Sequence, residues 1–354
     1  DLSLAARTLA LAPTLLSGMS FRWTRTEADT FVGVLGDSIV EIRQEATGRC
    51  EFREFSAHGD GEALTLLRDH LRLDECAACK HAPWMKDAAT PRARSALVDA
   101  ALARFRAAAA AIPGVRVVRI LDPLECVVTF MGSANNNIKR NMQMVSALCA
   151  AFPTNHLGCD AYGNEHYRFP SVDQLLTLSE ERLWHLGWGY RAPRLYKLAR
   201  DLNERGGESY LHKISSMTEE EGRASLICLT GVGRKVADCV LLFGYGFDGC
   251  VPVDTHCLQM AQRFLLPSVC SLTPAVYQAI VDQFHLCFGT HAHLKPSPLI
   301  GSPVHPILSH SEPSPGHAAL CLHASSFGTC SQKGPSAVPA QTLALVLVPG
   351  QTLA

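Results

Sequence analysis

A tight glycine turn between two apolar helical runs constrains this chain more than any other feature. Residues 226–254 read L-I-C-L-T-G-V-G-R-K-V-A-D-C-V-L-L-F-G-Y-G-F-D-G-C-V-P-V-D. Ser216 or Thr218, followed three residues on by Glu219 or Glu221, supplies a capping-box start for a helix reaching about Leu229. Gly231 and Gly233 allow a hairpin that side chains would forbid and let another backbone come close. A second helix, over 234–244, then points its first amides back at the turn. Those amides and the helix dipole favour an anion such as a phosphate, and Arg234 adds charge there.

Taken alone, G-x-G is an ordinary turn between core helices. Apolar residues at Leu226, Leu229, Val232, Val236, Ala237 and Val240 give it the register of a helix-hairpin-helix DNA-binding element. Lys235 follows just inside the second helix. A helical lysine is usually a solvated charge, but the positive helix end, Arg234 and partial desolvation all disfavour the charged amine and expose a nucleophile. Asp254 ends the V-P-V run and precedes an apolar helix, where it reads first as an N-cap. The same carboxylate can stabilise positive charge on a sugar losing its base.

G-V-G-R-K-V-A-D-C, with the Asp of V-P-V-D-T-H fifteen residues after the Cys, resembles the eukaryotic 8-oxoguanine DNA glycosylase/lyases of the helix-hairpin-helix superfamily. The resemblance implies base-excision repair in which Lys235 displaces the oxidised base and forms an imine, with Asp254 as the essential carboxylate. It places Cys239 and Phe243 at the base pocket, His256 near a phosphate, and Gly231, Val232 and Gly233 on the DNA backbone. Three further segments match. Asp122-Pro123 opens a helix as cap and first residue, and the asparagine run 135–137 breaks the pattern after it. Such a run is commonly a turn; in the family Asn135 would fill the gap left by the extruded nucleotide and Arg140 would read the orphaned cytosine. L-G-W-G-Y-R-A (186–192) would supply Tyr190 as a wedge and Arg191 as a second cytosine reader. L-S-G-M-S-F-R-W (16–23) would present the Gly18 carbonyl to a ring N–H that 8-oxoguanine has and guanine lacks.

The chain is read as α+β. Residues 1–115 form an N-terminal domain with an antiparallel β meander over 20–56 and helices at 61–73 and 93–112. Residues 116–292 form an all-helical glycosylase domain, with helices at 124–134, 138–152, 171–186, 192–204, 207–215, 219–229, 234–244, 255–265 and 274–288. The match ends near residue 292. From there the text turns Pro-rich: residues 291–354 hold nine of the 20 prolines and only three charged residues. That composition predicts a disordered tail over 293–354, as a shifted frame or alternative terminal segment would give. The family's base-stacking phenylalanine and base-holding glutamine have no counterpart here, so weakened excision is expected.

A net charge of −1 offers no global basic field, so local donors must carry the DNA contacts. The 14 cysteines show no disulfide spacing, and Cys76-x-x-Cys79 lacks a second zinc pair. Cys250, Cys257, Cys270 and Cys287 are too irregular for an iron–sulfur cluster, so no metal or organic cofactor is expected. No apolar run reaches the roughly 20 residues of a membrane span. The expected partner is double-stranded DNA carrying an oxidised purine, met by a monomer in the nucleus or a DNA-bearing organelle. Two alternatives stand beside this reading: a glycosylase for another oxidised base, and a non-catalytic DNA-binding variant.

Overall fold

The computed structural model describes residues 9–55, 62–75 and 110–288, with residues 99, 103–104 and 106–107 between them. Cys76, Cys79, most of the 93–112 helix and the tail over 293–354 lie outside the described residues.

A short helix, Leu11–Leu15 (α1), leads into the meander expected from the turn signals. Trp23–Arg25 (β1), Phe31–Leu35 (β2), Ser38–Gln44 (β3) and Cys50–Glu54 (β4) pair antiparallel in sequence order. Leu35 pairs with Ser38, so the β2–β3 loop is the two residues Gly36–Asp37. Ile39, Val40 and Ile42 are all fully buried, which means both sheet faces are covered. Ala63–His70 (α2) packs near β2 and contributes Leu67 and His70 to the interior. There the Trp23 indole donates to His70 Nε2 at 2.9 Å, and His70 Nδ1 meets the Arg119 carbonyl at 2.6 Å. The ring therefore carries its proton on Nδ1 and is neutral; burial lowers its pKa to about 4.

Pro123–Ser133 (α3) starts where the sequence indicated: Asp122 accepts from the Leu124 amide and Pro123 occupies the first helical position. Ile138–Ala150 (α4) is capped by Asn137, which accepts from the Arg140 amide. The all-helical expectation then fails in one place. His156–Cys159 (β5) and Glu165–Tyr167 (β6) form a two-stranded hairpin. Its turn is made by Asp160, whose carboxylate accepts from the backbones of Tyr162 and Asn164 and from His166. These bonds outweigh burial and hold the carboxyl at about 2.

The single helix expected over 171–186 is also interrupted. A Ser171–Gln174 capping box starts Val172–Leu176 (α5), and Ser179 caps a new helix, Glu180–Leu183 (α6). The hydroxyls of Thr177 and Ser179 compete for backbone groups and break the run. A wide π turn over Trp184–Trp188 follows. Ala192–Glu204 (α7), Glu208–Lys213 (α8), Glu219–Ile227 (α9), Arg234–Val240 (α10), Thr255–Phe264 (α11) and Pro274–Phe288 (α12) complete the order. One hydrophobic cluster runs from Leu9 through the sheet and α3 to α10 and Cys250. A second, smaller one joins α11 to α12 through Val253, Cys257, Ala261, Tyr277, Ile280 and Val281. Among the described residues no helix is long and apolar enough to cross a membrane.

Candidate active site and nucleic-acid interface

Thr218 is the residue that caps α9, in a full capping box with Glu221. The six apolar residues that set the hairpin register are all buried. Gly231 has φ +84°, and a Cβ there would lie 2.9 Å from Met131 Sδ and 3.3 Å from Arg194 Cβ. It is glycine for two reasons, backbone sign and the close approach of α3 and α7. Gly233 differs: its φ is −86° and a Cβ would meet nothing within 4 Å. It is exposed and brings no side-chain cap to α10, so an anion can approach the first amides. Val232 is the buried plug between them, its amide donating to the Leu229 carbonyl at 3.1 Å.

Lys235 is the second residue of α10 and is half-buried. Its Nζ stands 5.8 Å from the centre of the Phe130 ring. One turn on in the same helix Cys239 is fully buried, and that burial pushes its thiol up to about 12. The Asp254 carboxylate adds to that rise and Lys235 opposes it. Asp254 caps α11 as expected: Oδ1 accepts from His256 at 3.0 Å and Cys257 at 2.9 Å, leaving Oδ2 outside the cap. His256 thereby sits in the first turn of α11, partly exposed.

Phe243 is fully buried and stacks on Phe130 at 5.1 Å, so it backs the site from the core and does not line its surface. Phe130 in turn meets Phe21 edge-on at 5.6 Å, three residues beyond Gly18, which is buried with φ +86°. Phe130 is the hub of this arrangement, and the sequence reading passed over it. It looked like any apolar residue of α3; only the fold aims it at Lys235.

The second group lies at the far end of α3. The three asparagines do three different things. Asn135 is exposed with φ +49°, Asn136 donates to the Gly132 carbonyl, and Asn137 caps α4. Arg140 is exposed one turn into α4. Arg191 is buried, and its guanidinium donates to the carbonyls of Ala134 at 2.6 Å and Asn135 at 2.9 Å. It thus holds the left-handed Asn135 in place. Tyr190 is half-exposed, donates to the Ala134 carbonyl at 3.2 Å, and lies under the Arg191 guanidinium at 4.2 Å. α3 connects the two groups: Phe130 faces Lys235, Met131 faces Gly231, and the helix ends at Ser133, two residues before Asn135.

A buried polar network behind Lys235 was also missed. Asp238 accepts from Arg223 at 2.6 Å and from the Tyr277 hydroxyl at 2.5 Å. Burial raises the Asp238 carboxyl; hydrogen bonds to Asp238 and Glu219 raise the Arg223 guanidinium despite its own burial. Asp238 was visible beside Lys235, but no motif marks Tyr277.

An α+β scaffold carrying a helix-hairpin-helix, an adjacent lysine and a capping aspartate defines the class: a DNA glycosylase. Comparison with solved structures agrees on the fold. The 8-oxoguanine glycosylase/lyase of Clostridium acetobutylicum superposes with a TM-score of 0.65 at 21% identity, over 80% of this chain and 90% of that one. Its complex with double-stranded DNA containing cytosine opposite 8-oxoG gives 0.64. A 3-methyladenine DNA glycosylase from Archaeoglobus fulgidus gives 0.54 at 16% identity, over 81% and 90% of the chains. A family model described as the 8-oxoguanine DNA glycosylase N-terminal domain matches residues 1–127. The chain is 33% identical over 299 residues to the Arabidopsis thaliana N-glycosylase/DNA lyase OGG1, covering 82% of this chain and 76% of that protein. It is 33% identical over 278 residues to the Saccharomyces cerevisiae N-glycosylase/DNA lyase, covering 72% and 68%. The chain belongs to the 8-oxoguanine DNA glycosylase family of N-glycosylase/DNA lyases.

Proposed function

We propose that this base-excision enzyme removes 8-oxoguanine paired with cytosine and then nicks the strand, using a Lys235 imine. The observation that carries the reading is that the helix of Lys235, which stands over Phe130, is tied through Asp238 and the Tyr277 hydroxyl to Val253, the residue before Asp254. The amine attacks C1′ as the glycosidic bond breaks, and the departing base takes a proton released from that nitrogen. Opening of the C1′–O4′ bond, with O4′ taking a proton from solvent, gives the iminium, whose charge, like that of the sugar before it, Asp254 stabilises. Loss of a C2′ proton then expels the 3′ phosphate, and water returns the free amine.

The remaining residues take supporting roles in this proposal. Tyr190 wedges the duplex and Asn135 fills the vacated position, while Arg140, with Arg191 once released from its carbonyls, reads the cytosine. The Gly18 carbonyl selects the oxidised purine, Cys239 and Phe243 back its pocket, and the 231–233 turn and His256 take phosphates. The enzyme works as a monomer, in the nucleus or a DNA-bearing organelle. Because the family's base-holding residues lack counterparts after residue 292, base removal is slower than nicking of a preformed abasic site.

Borohydride trapping tests the chemistry. An adduct on 8-oxoguanine:cytosine duplex that disappears in Lys235→Gln, with duplex binding retained, is the expected result. An adduct undiminished in that variant would refute the lysine assignment. Equal trapping opposite all four bases would refute the cytosine preference. Lesion excision as fast as abasic-site nicking would refute the slowed base-removal step.

A further inference from the structure

The two reacting groups belong to different hydrophobic clusters. Lys235 rides on α10, whose Val236, Ala237, Cys239 and Val240 sit in the large core. Asp254 caps α11, whose Cys257 and Ala261 sit in the small one with α12. Apolar packing alone does not fix their separation, because such contacts are non-directional. A hydroxyl crosses the gap. Tyr277, on α12 and 5% exposed, donates to Asp238 Oδ2 at 2.5 Å. The Tyr277 hydroxyl oxygen in turn accepts from the Val253 amide at 3.0 Å. Asp238 lies one helical turn from Lys235, and Val253 immediately precedes Asp254. Arg223 anchors the other oxygen of Asp238 at 2.6 Å, so the carboxylate cannot swing to follow a displaced partner.

We propose that Tyr277 is a positioning residue that sets the distance between Lys235 and Asp254, acting through Asp238 on one side and Val253 on the other. This rests on the lysine–aspartate reading of the site. Burial and the neighbouring Asp238 carboxylate push the phenol up, so it keeps its proton and serves both as donor and acceptor. The directional hydrogen bonds set register where two cores merely abut. A displacement of about 1 Å in a reacting pair costs on the order of a hundredfold in rate, which is the scale of effect the clamp controls.

The test uses the full chain and Tyr277→Phe, which removes one oxygen and keeps the ring. Single-turnover nicking of an abasic-site duplex is expected to fall at least tenfold, with the Kd for that duplex unchanged. Ile280→Val loosens the same helix in the same small core without touching the clamp, and its rate is expected within twofold of the parent. A Tyr277→Phe rate within twofold of the parent would overturn the proposal, as would an equal loss in Ile280→Val. Amide exchange at Val253 decides the clamp independently of catalysis. Exchange at least tenfold faster in Tyr277→Phe supports it, and unchanged exchange overturns it. A parent chain that forms no trapped adduct would instead sink the lysine reading, with the Val253 measurement still deciding the clamp.

Discussion

The helix that carries Lys235 and the helix that Asp254 caps are built to different standards. The first lies in a cluster that reaches from Leu9 to Cys250 and includes the sheet, α3 and α7. Among the described residues, the second shares with α12 a cluster of six buried residues, with Val251, Leu258, Leu266, Val276 and Phe284 packed against it. A large core fixes its members by many mutually reinforcing contacts; a small one has few to lose. The site therefore joins a rigid nucleophile to a more weakly secured carboxylate. Polar ties make up the difference: Tyr277 to Asp238 and Val253, His285 to the Gly249 carbonyl at 2.8 Å, and Arg234 to Gln278.

The sharpest test of this contrast deletes volume on each side. Phe243→Ala, which empties the stacking partner of Phe130, is expected to cost about 3–5 kcal/mol of global stability in denaturant melts. Ile280→Ala removes a fully buried side chain from the small core. Its cost should appear chiefly as faster amide exchange in α11 and α12, with α3 and α7 still protected. Uniform loss of protection across all four helices would show that the two clusters unfold as one.

Asp254 separates chemistry from capping. Asparagine is as good an N-cap as aspartate but carries no charge. Asp254→Asn should slow nicking by about 10²–10³, roughly 2.7–4 kcal/mol of barrier, with little change in melting temperature. Asp254→Ala should lose the same rate and about 1 kcal/mol of stability besides. Equal melting temperatures for the two variants would remove the capping role.

The pH response belongs to the large core. His70, lowered to about 4 from 6.5, is neutral when folded and takes a proton more readily when unfolded. Its contribution is complete above 6.5 and is lost as pH falls toward 4, by up to about 3 kcal/mol. Glu125 works in the opposite sense. Burial, which outweighs its ion pair with Arg22, raises it from 4.5 to about 7, so its contribution is lost as pH rises across that window. The two slopes oppose each other between 4.5 and 6.5. Urea midpoints there should vary little for the parent and should decline with rising pH in His70→Gln. A parent-like profile in that variant would remove the histidine from the account.

The smallest effect contrasts the two turn glycines. Gly231→Ala meets both a positive φ and the Met131 sulfur, for about 1–2 kcal/mol or more. Gly233→Ala should change stability by less than about 0.5 kcal/mol, since nothing crowds it. Its cost should fall on duplex affinity, read by titration, because the added methyl stands where a phosphate would approach. Unchanged affinity would move the phosphate elsewhere.

Local rules carried a large part of this molecule. The caps at Asp122 and Asp254, the meander over 20–56 and the buried register of the hairpin all depend on near neighbours, and the sequence states them; it left the α9 cap between Ser216 and Thr218. Where nearby polar groups compete for the backbone, the pattern misled. Thr177 and Ser179 split an expected helix, and Asp160 with Asn164 shaped a hairpin in the stretch between two expected helices.

The chain on its own determined the chemistry available: an amine at a helix start, a carboxylate at the next cap, and glycines to admit a backbone anion. Those are properties of residue type and short spacing. Tertiary structure decided which groups meet. Phe130 became the floor beneath Lys235, Arg191 the brace of Asn135, and Tyr277 the link between Asp238 and Val253. Each joins residues from separate elements, 39 positions apart for Tyr277 and Asp238, and no local propensity encodes such a pairing. It follows only once helices have packed and every buried donor must find an acceptor.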